Sequence, residues 1–178
     1  RYPRQEPFGQ IAGQIMTFRM PGEWVPHERV WIGFPSFWGH WEAPYEDAQR
    51  QIAAFANAVW DGGKGEVVHL VRGSDDAARV ARDLVEDGVK VERRQIGDIW
   101  LRDTGCIIVQ NGAQRMARDF GFNGWGGKYL LPGDQETGPS LAAAGGLAYA
   151  RADWVLEGGA LDTDGTGLVV TTAQCLLN

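Results

Sequence analysis

The stretch GDIWLRDTGC, Gly97 to Cys106, sets Asp98, Trp100, Arg102 and Asp103 within six residues. A carboxylate accepts two parallel hydrogen bonds from a guanidinium edge, and an indole face stacks on the same delocalised cation, so acid and indole together suit an arginine-like group. The same residues allow a plainer arrangement, with Arg102 paired to either aspartate at the surface and Trp100 in the core. A second stretch, LEGGALDTDG, places Glu157 before Gly158 and Gly159. Those glycines either let another backbone or a ligand approach closely, so that Glu157 faces a cleft, or form a bulge that leaves it an exposed charge. Third, DFGFNGWGGKY interleaves four glycines with Phe120, Phe122, Asn123, Trp125 and Lys128, as an ordered aromatic loop would.

Other chemistries find little support. The aromatic loop carries neither GxGxxG nor GK[ST] spacing, so it does not read as a phosphate cradle. His27, His40 and His69 lack metal-ligand spacing, and His69, in a strand-like run, reads as a packed or edge residue. Cys106 and Cys175 make no metal-like pair, and DTDG lacks the further ligands of a calcium loop. No metal or cofactor is expected.

Two elements must flank each of these segments to hold it. RVWIGFP reads as a buried strand and APYEDAQRQIAAFANAVW as a helix, with Pro44 in its first turn and Tyr45, Ala48, Ile52, Phe55 and Val59 on one face; Asp61, Gly62 and Gly63 end it. EVVHLV is a second strand and SDDAARVARDLVEDG a second helix, capped at Ser74, striped by Val80, Leu84 and Val85 and stopped at Gly88. VKVERRQI alternates as a strand, and CIIVQ turns through Asn111-Gly112 into AQRMARDF. PSLAAAGG is a short helix, DWVLEGGALDT a strand region, and Asp164-Gly165 turns the chain into TGLVVTT. Mixed α/β units of similar size therefore recur, and the repeat looks unfinished at CLLN.

The 178 residues suit one domain, and no linker-like run divides them. Twenty-five glycines and 8 tryptophans predict tight turns and aromatic-lined concavities, while a net charge of −6 and a pI near 5.0 argue against nucleic acid or an anionic membrane and for small cationic ligands. No apolar run reaches membrane-spanning length, the first ten residues lack the apolar core of a signal peptide, and two widely spaced cysteines suggest a reducing cytoplasm.

Taken in series, MPGEWVPHERVWIGFP, DIWLRDTG, FNGWGGKY and LEGGALDTDG with TTAQCLLN resemble the agmatine deiminase family, of the guanidine-modifying group related to bacterial peptidylarginine deiminases, and FNGWGGK looks more like the agmatine branch. The resemblance runs from Met20 to Asn178 and implies a ring of five ββαβ units around a central site, of which this chain would supply roughly the N-terminal half: an incomplete pentein-type α/β propeller. It implies hydrolysis of agmatine to N-carbamoylputrescine and ammonia through a covalent cysteine intermediate, without a cofactor. Transferred by position, Asp103 would grip the guanidinium, Trp100 would line its plane, Glu157 would support a histidine, and Asp98 and Trp125 would wall the pocket. The family's His-x-Asp segment and nucleophilic cysteine have no match here, so the chain alone is expected to be inactive. Cys175 matches an ordinary cysteine and Cys106 a position where the family often has proline. The alternatives are another guanidine deiminase, such as one for peptidylarginine, or a non-catalytic guanidinium-binding or assembly module. The expected partners are a small cationic guanidine and either a second copy or a complementing C-terminal half, since an incomplete ring leaves apolar edges.

Overall fold

The computed structural model describes residues 17–177 together with two paired two-residue strands, β1 (Gln10–Ile11) and β2 (Gln14–Ile15). The expectation of no signal peptide falls on the first ten residues, of which 1–9 lie outside those described, as does Asn178 of CLLN.

Apolar runs too short for helices become the first sheet. β3 (Val30–Phe34), β4 (Val68–Arg72) and β5 (Lys90–Arg93) pair in parallel in the order β3-β4-β5. β4 is central and buried along its whole length, which is why VVHLV reads as continuous rather than alternating. The first crossover runs through a single helical turn, α1 (Trp38–Trp41), and then α2 (Tyr45–Trp60); the second is α3 (Asp76–Leu84). Both helices lie on one face, where Phe34, Val68 and Leu70 meet Ala53, Ala56, Ala77 and Ala81. Fully burying a side chain such as Leu70 or Phe34 contributes roughly 1.5–3 kcal/mol, so this layer anchors the unit.

The expected stripe on α2 is turned by about one residue. Ile52 and Val59 do pack on the core, but Phe55 is exposed and the buried positions are Gln49, Ala53 and Ala56. Small alanines let the helix sit close to the sheet, and Gln49 reaches through to donate to the Pro35 carbonyl at 3.0 Å. On α3, likewise, Val80 and Leu84, with Val85 just past its end, flank a buried alanine face of Ala77, Ala78 and Ala81.

The second unit begins after α4 (Leu101–Thr104). β6 (Ile107–Asn111) turns at Gly112, in the left-handed region, into antiparallel β7 (Gln114–Gly121). The chain then passes a tight turn, α5 (Gly124–Gly127), and α6 (Asp134–Ala144) to reach β8 (Ala148–Val155), parallel to β7. This is a ββαβ unit, whereas the first unit's described sheet is all parallel, βαβαβ. α6 begins five residues before Pro139, where the sequence reading started it. Proline removes the N–H that would bond the Gln135 carbonyl, and Arg151 Nη1–H donates to that carbonyl instead at 3.1 Å. A third unit opens with β9 (Asp162–Thr163) and β10 (Val169–Val170), an antiparallel hairpin, and α7 (Ala173–Leu176).

The other face of the first sheet carries Val71, which packs with Ile96 of the following loop and Leu141 of α6 and so joins the two units. The described sheets stay open, as in an incomplete propeller, and none of them closes into a barrel. Trp154, Val155, Leu168, Val169, Val170 and Leu177 are exposed, as expected of unfinished apolar edges. No helix among the described residues is long and apolar enough to cross a membrane.

Candidate functional site

The segments following the C-terminal ends of β3, β5 and β7 converge on one cleft of 820 Å³, lined by His40, Trp41, Asp98, Trp100, Asp103, Trp125, Lys128, Tyr129 and Asp134 among others. Its floor depends on Gly33 of β3: a Cβ there would lie 2.6 Å from Ile99 Cα, so the Asp98–Trp100 segment can cross the strand only over a glycine. From Trp100 the chain tightens into the single turn of α4, with the Thr104 hydroxyl donating to the Trp100 carbonyl at 3.0 Å.

Asp103 is held at both oxygens. Gly159 N–H donates to Oδ1 at 3.1 Å, and Trp125 Nε1–H donates to Oδ2 at 3.3 Å. The first contact decides between the two readings of Gly158-Gly159. A Cβ on Gly158 would meet the Arg102 carbonyl at 2.4 Å and one on Gly159 would meet Asp103 Oδ1 at 2.2 Å, so the pair exists to admit the backbone and carboxylate of α4. The second contact explains the aromatic loop. Trp125 has φ of 54°, in the left-handed region, between Gly124 and Gly126, which also have positive φ. For a bulky side chain this costs on the order of 1 kcal/mol. The indole is locked there by its bond to Asp103 and by edge contacts with Trp100, at 6.1 Å between centroids, and Phe122, at 4.9 Å. Asn123 holds the turn by accepting from Gly126 N–H at 2.9 Å.

Asp98 is fixed in the same way by a different tryptophan: Trp41 Nε1–H donates to its Oδ1 at 3.1 Å. The plainer reading of GDIWLRD therefore fails on both counts. Arg102 turns away to Glu23, 2.5 Å from it, and Trp100 is half exposed on the cleft wall rather than in the core. Asp134, buried at the start of α6, accepts from Leu131 N–H at 2.7 Å. Burial holds its carboxyl above the usual carboxylate range; the Leu131 hydrogen bond opposes this and the nearby Asp98 charge reinforces it.

Glu157 stands apart. It is buried rather than the exposed charge of the bulge reading, and it does not line this cleft. Two residues of chain span at most about 7 Å, so its backbone lies close to Gly159 and hence to Asp103. Trp41 and Asp134 escaped the sequence reading. For Asp134, the Pro-Gly-Asp run with Glu136 two residues on is a helix-start signal that could have placed the side chain at a buried helix end. Trp41 had no signal of its own.

His69 is the packed residue expected, buried in the central strand with Nδ1 2.7 Å from Glu92 Oε1. Burial pushes its pKa below the ordinary histidine value, against the Glu92 charge. Both cysteines are free, and burial pushes the Cys106 thiol up to about 11. Neither lines the cleft. No three His, Cys, Asp or Glu side chains among the described residues are grouped to hold a metal.

Comparison with known proteins gives a consistent answer. Residues 19–178 match the sequence profile of the Porphyromonas-type peptidyl-arginine deiminases. An agmatine deiminase of Pseudomonas aeruginosa is 33% identical over 168 residues, covering 90% of this chain and 45% of that protein, and one of Ectopseudomonas mendocina is 32% identical over 168 residues with the same coverage. The agmatine deiminase of Enterococcus faecalis superposes with a TM-score of 0.82 at 28% identity, over 90% of this chain and 45% of its own. The chain thus spans about half the length of the relatives it matches, and its fold is that of their pentein propeller in part. By sequence and by fold, this chain belongs to the Porphyromonas-type peptidyl-arginine deiminase family.

Proposed function

We propose that this chain, a single domain, is the substrate-positioning half of an agmatine-type deiminase, in which Asp103 grips the guanidinium, Trp100 and Trp125 wall its plane, and Glu157 supports a histidine supplied from outside the chain. The observation that carries the reading is the doubly held Asp103 beside a half-exposed indole in one cleft. The guanidinium carbon is a poor electrophile, so attack by a thiolate requires the cation to be fixed in edge and face before ammonia leaves. A carboxylate aimed by a backbone N–H and an indole N–H is already oriented, and it needs no reorganisation when the cation arrives. The agmatine deiminases to which the chain is similar give agmatine as the first ligand to test.

The nucleophile belongs to a complementing C-terminal half. Cys106 is buried with a raised pKa, and neither it nor Cys175 lines the cleft. The exposed apolar side chains of β8 and β10 are the surface such a half, or a second copy, would cover. Two free cysteines fit the cytoplasm. The test is calorimetric titration of agmatine into the 178-residue chain, alongside an ammonia-release assay. Binding without turnover is the expected result; ammonia release abolished by Cys175→Ser or Cys106→Ser would overturn the assignment of roles, and absence of agmatine binding would remove the site.

A further inference from the structure

We propose that a second pocket, between the end of β5 and the C-terminal half of α6, binds a small organic anion through its phosphate or carboxylate oxygens. The proposal is independent of the guanidine reading. The pocket encloses 730 Å³ and is lined by Arg93, Arg94, Gln95, Ser140, Ala143 and Ala144 among others. It shares no lining residue with the cleft, and the two are opposite in character. Asp98, Asp103 and Asp134 line the cleft, whereas among the described residues the second pocket is lined by two arginines and no acidic side chain. A chain of net charge −6 repels anions at long range, so a pocket of this kind is a local departure from the composition.

The arginines keep charge to spare after their own ion pairs. Arg93 Nη1–H donates to Asp75 Oδ2 at 2.7 Å, but Asp75 also serves Arg72, whose Nη1–H donates to Oδ1 at 3.0 Å. Arg94 donates to Glu92, and Glu92 in turn lies 2.7 Å from His69 Nδ1. Three guanidiniums therefore share two carboxylates, which leaves one positive charge over in this network. Hydrogen-bond capacity is left over as well. A guanidinium carries five N–H donors, and among the described residues Arg93 uses one of them in a hydrogen bond. The Ser140 oxygen accepts from Gln95 N–H at 3.2 Å, which fixes the hydroxyl and leaves its proton to donate. Ala143 and Ala144 have no atoms beyond Cβ, so the helix side of the pocket stays open. A donor-rich lining suits an oxyanion, and arginine suits the paired oxygens of a phosphate or carboxylate. The volume lies in the range of small-molecule sites, about 300–1,000 Å³, and so fits an organic acid or organic phosphate better than a bare ion.

The experiment is calorimetric titration of glycerol 3-phosphate and of succinate into the 178-residue chain in about 0.15 M chloride, which screens exposed charges that form no built site. At least one probe should bind. Binding of glycerol 3-phosphate alone identifies a phosphoryl ligand, and binding of succinate a carboxylate one. Arg93→Gln should weaken the bound probe by roughly tenfold or more, the range of one charge-assisted contact. Arg93 is exposed and its ion pair with Asp75 lies at the surface, so the variant should fold. Ala143→Glu is the second variant: at an exposed helix position it removes no polar contact, places a like charge in the pocket and should abolish binding. The control is Arg79→Gln, an exposed arginine of α3 that does not line the pocket, which should leave binding unchanged. Failure of both probes to bind wild type overturns the proposal, as does binding that survives Arg93→Gln and Ala143→Glu. An equal loss in Arg79→Gln would mark an adventitious ion only and would overturn it too.

Discussion

Replacing Asp103 by asparagine keeps the shape of the side chain and removes its charge, but the structure makes the change more than a loss of charge. Both carboxylate oxygens accept from fixed donors, Gly159 N–H and Trp125 Nε1–H. An asparagine has one acceptor and one NH₂, so whichever way it is flipped one donor faces another donor. The amide can flip so that the exposed Gly159 N–H turns to water and the part-buried Trp125 N–H keeps its acceptor, so the cost is that of one ordinary hydrogen bond, about 0.5–1.5 kcal/mol of stability. For a chain of 178 residues this is a fall of about 2–4 °C in Tm per kcal/mol. Separately, the missing charge removes a charge-assisted contact to a bound guanidinium, about 1.5–3 kcal/mol, or roughly ten- to a hundredfold in affinity. The two effects separate through Trp125→Phe, which deletes one donor and leaves the carboxylate charged. That variant should lose stability and weaken agmatine binding by less than Asp103→Asn does, because the charge and the Gly159 contact remain. Calorimetry and thermal unfolding on both proteins decide the matter. If folded Asp103→Asn binds agmatine as wild type does, the carboxylate is a structural acceptor for the Gly159 loop and nothing more.

Three further outcomes follow from the same geometry. Gly159→Ala places a Cβ 2.2 Å from Asp103 Oδ1, so it should cost about 1–3 kcal/mol in stability and weaken agmatine binding without removing any polar group; an unchanged Tm would mean the loop is slack. Cys106, raised to about 11, has on the order of 10⁻⁴ of its thiol ionised at pH 7, so mass spectrometry after iodoacetamide treatment should find Cys175 labelled well before Cys106, and the reverse order would contradict its burial. His69 has a folded pKa below its unfolded value near 6.5, so the unfolded chain binds the extra proton. Its contribution is complete above about pH 6.5 and is lost as pH falls from there toward the folded pKa, so urea midpoints should drop across that window in wild type and drop less in His69→Gln.

The parts of this fold legible from sequence were those set by local rules. Strands and helices announced themselves through apolar runs, the Asn111-Gly112 turn and the Asp61-Gly62-Gly63 stop, and all of these stand. What escaped was set by long-range contact. The buried face of α2 is chosen by how closely alanines approach the sheet, so Phe55 looked as core-like as Ile52 although it is exposed. The start of α6 lay hidden because a mid-helix proline is tolerated only when another residue takes up the freed carbonyl, and Arg151 does this from sixteen positions away. In the site, Asp98, Trp100, Asp103 and Trp125 could be singled out by residue type, but Trp41, 57 residues before the carboxylate it aims, could not.

The two indole-to-carboxylate bonds also bear on the proposed division between a positioning half and a catalytic half. Each of the two pairs is closed within the described chain: Trp125 is held by its own strained turn, and Asp98 and Asp103 by the segment that Gly33 lets cross the first sheet. Neither pair borrows a donor from elsewhere, so on the proposed reading the geometry offered to a cation is set within this chain. Asp103 also carries the link to the third unit, through Gly159. Loading the cleft with a cation should therefore stiffen the Gly158–Ala160 turn and the hairpin beyond it, the elements that lead toward the uncovered apolar surface. Amide hydrogen exchange can register this: agmatine should slow exchange at Gly159 more than at residues of α2, which packs on the Phe34–Leu70 face of the first sheet and does not line the cleft. Equal protection in both places would mean that the ligand stabilises the chain globally, and the Asp103–Gly159 contact would then have no special part in coupling the cleft to the third unit.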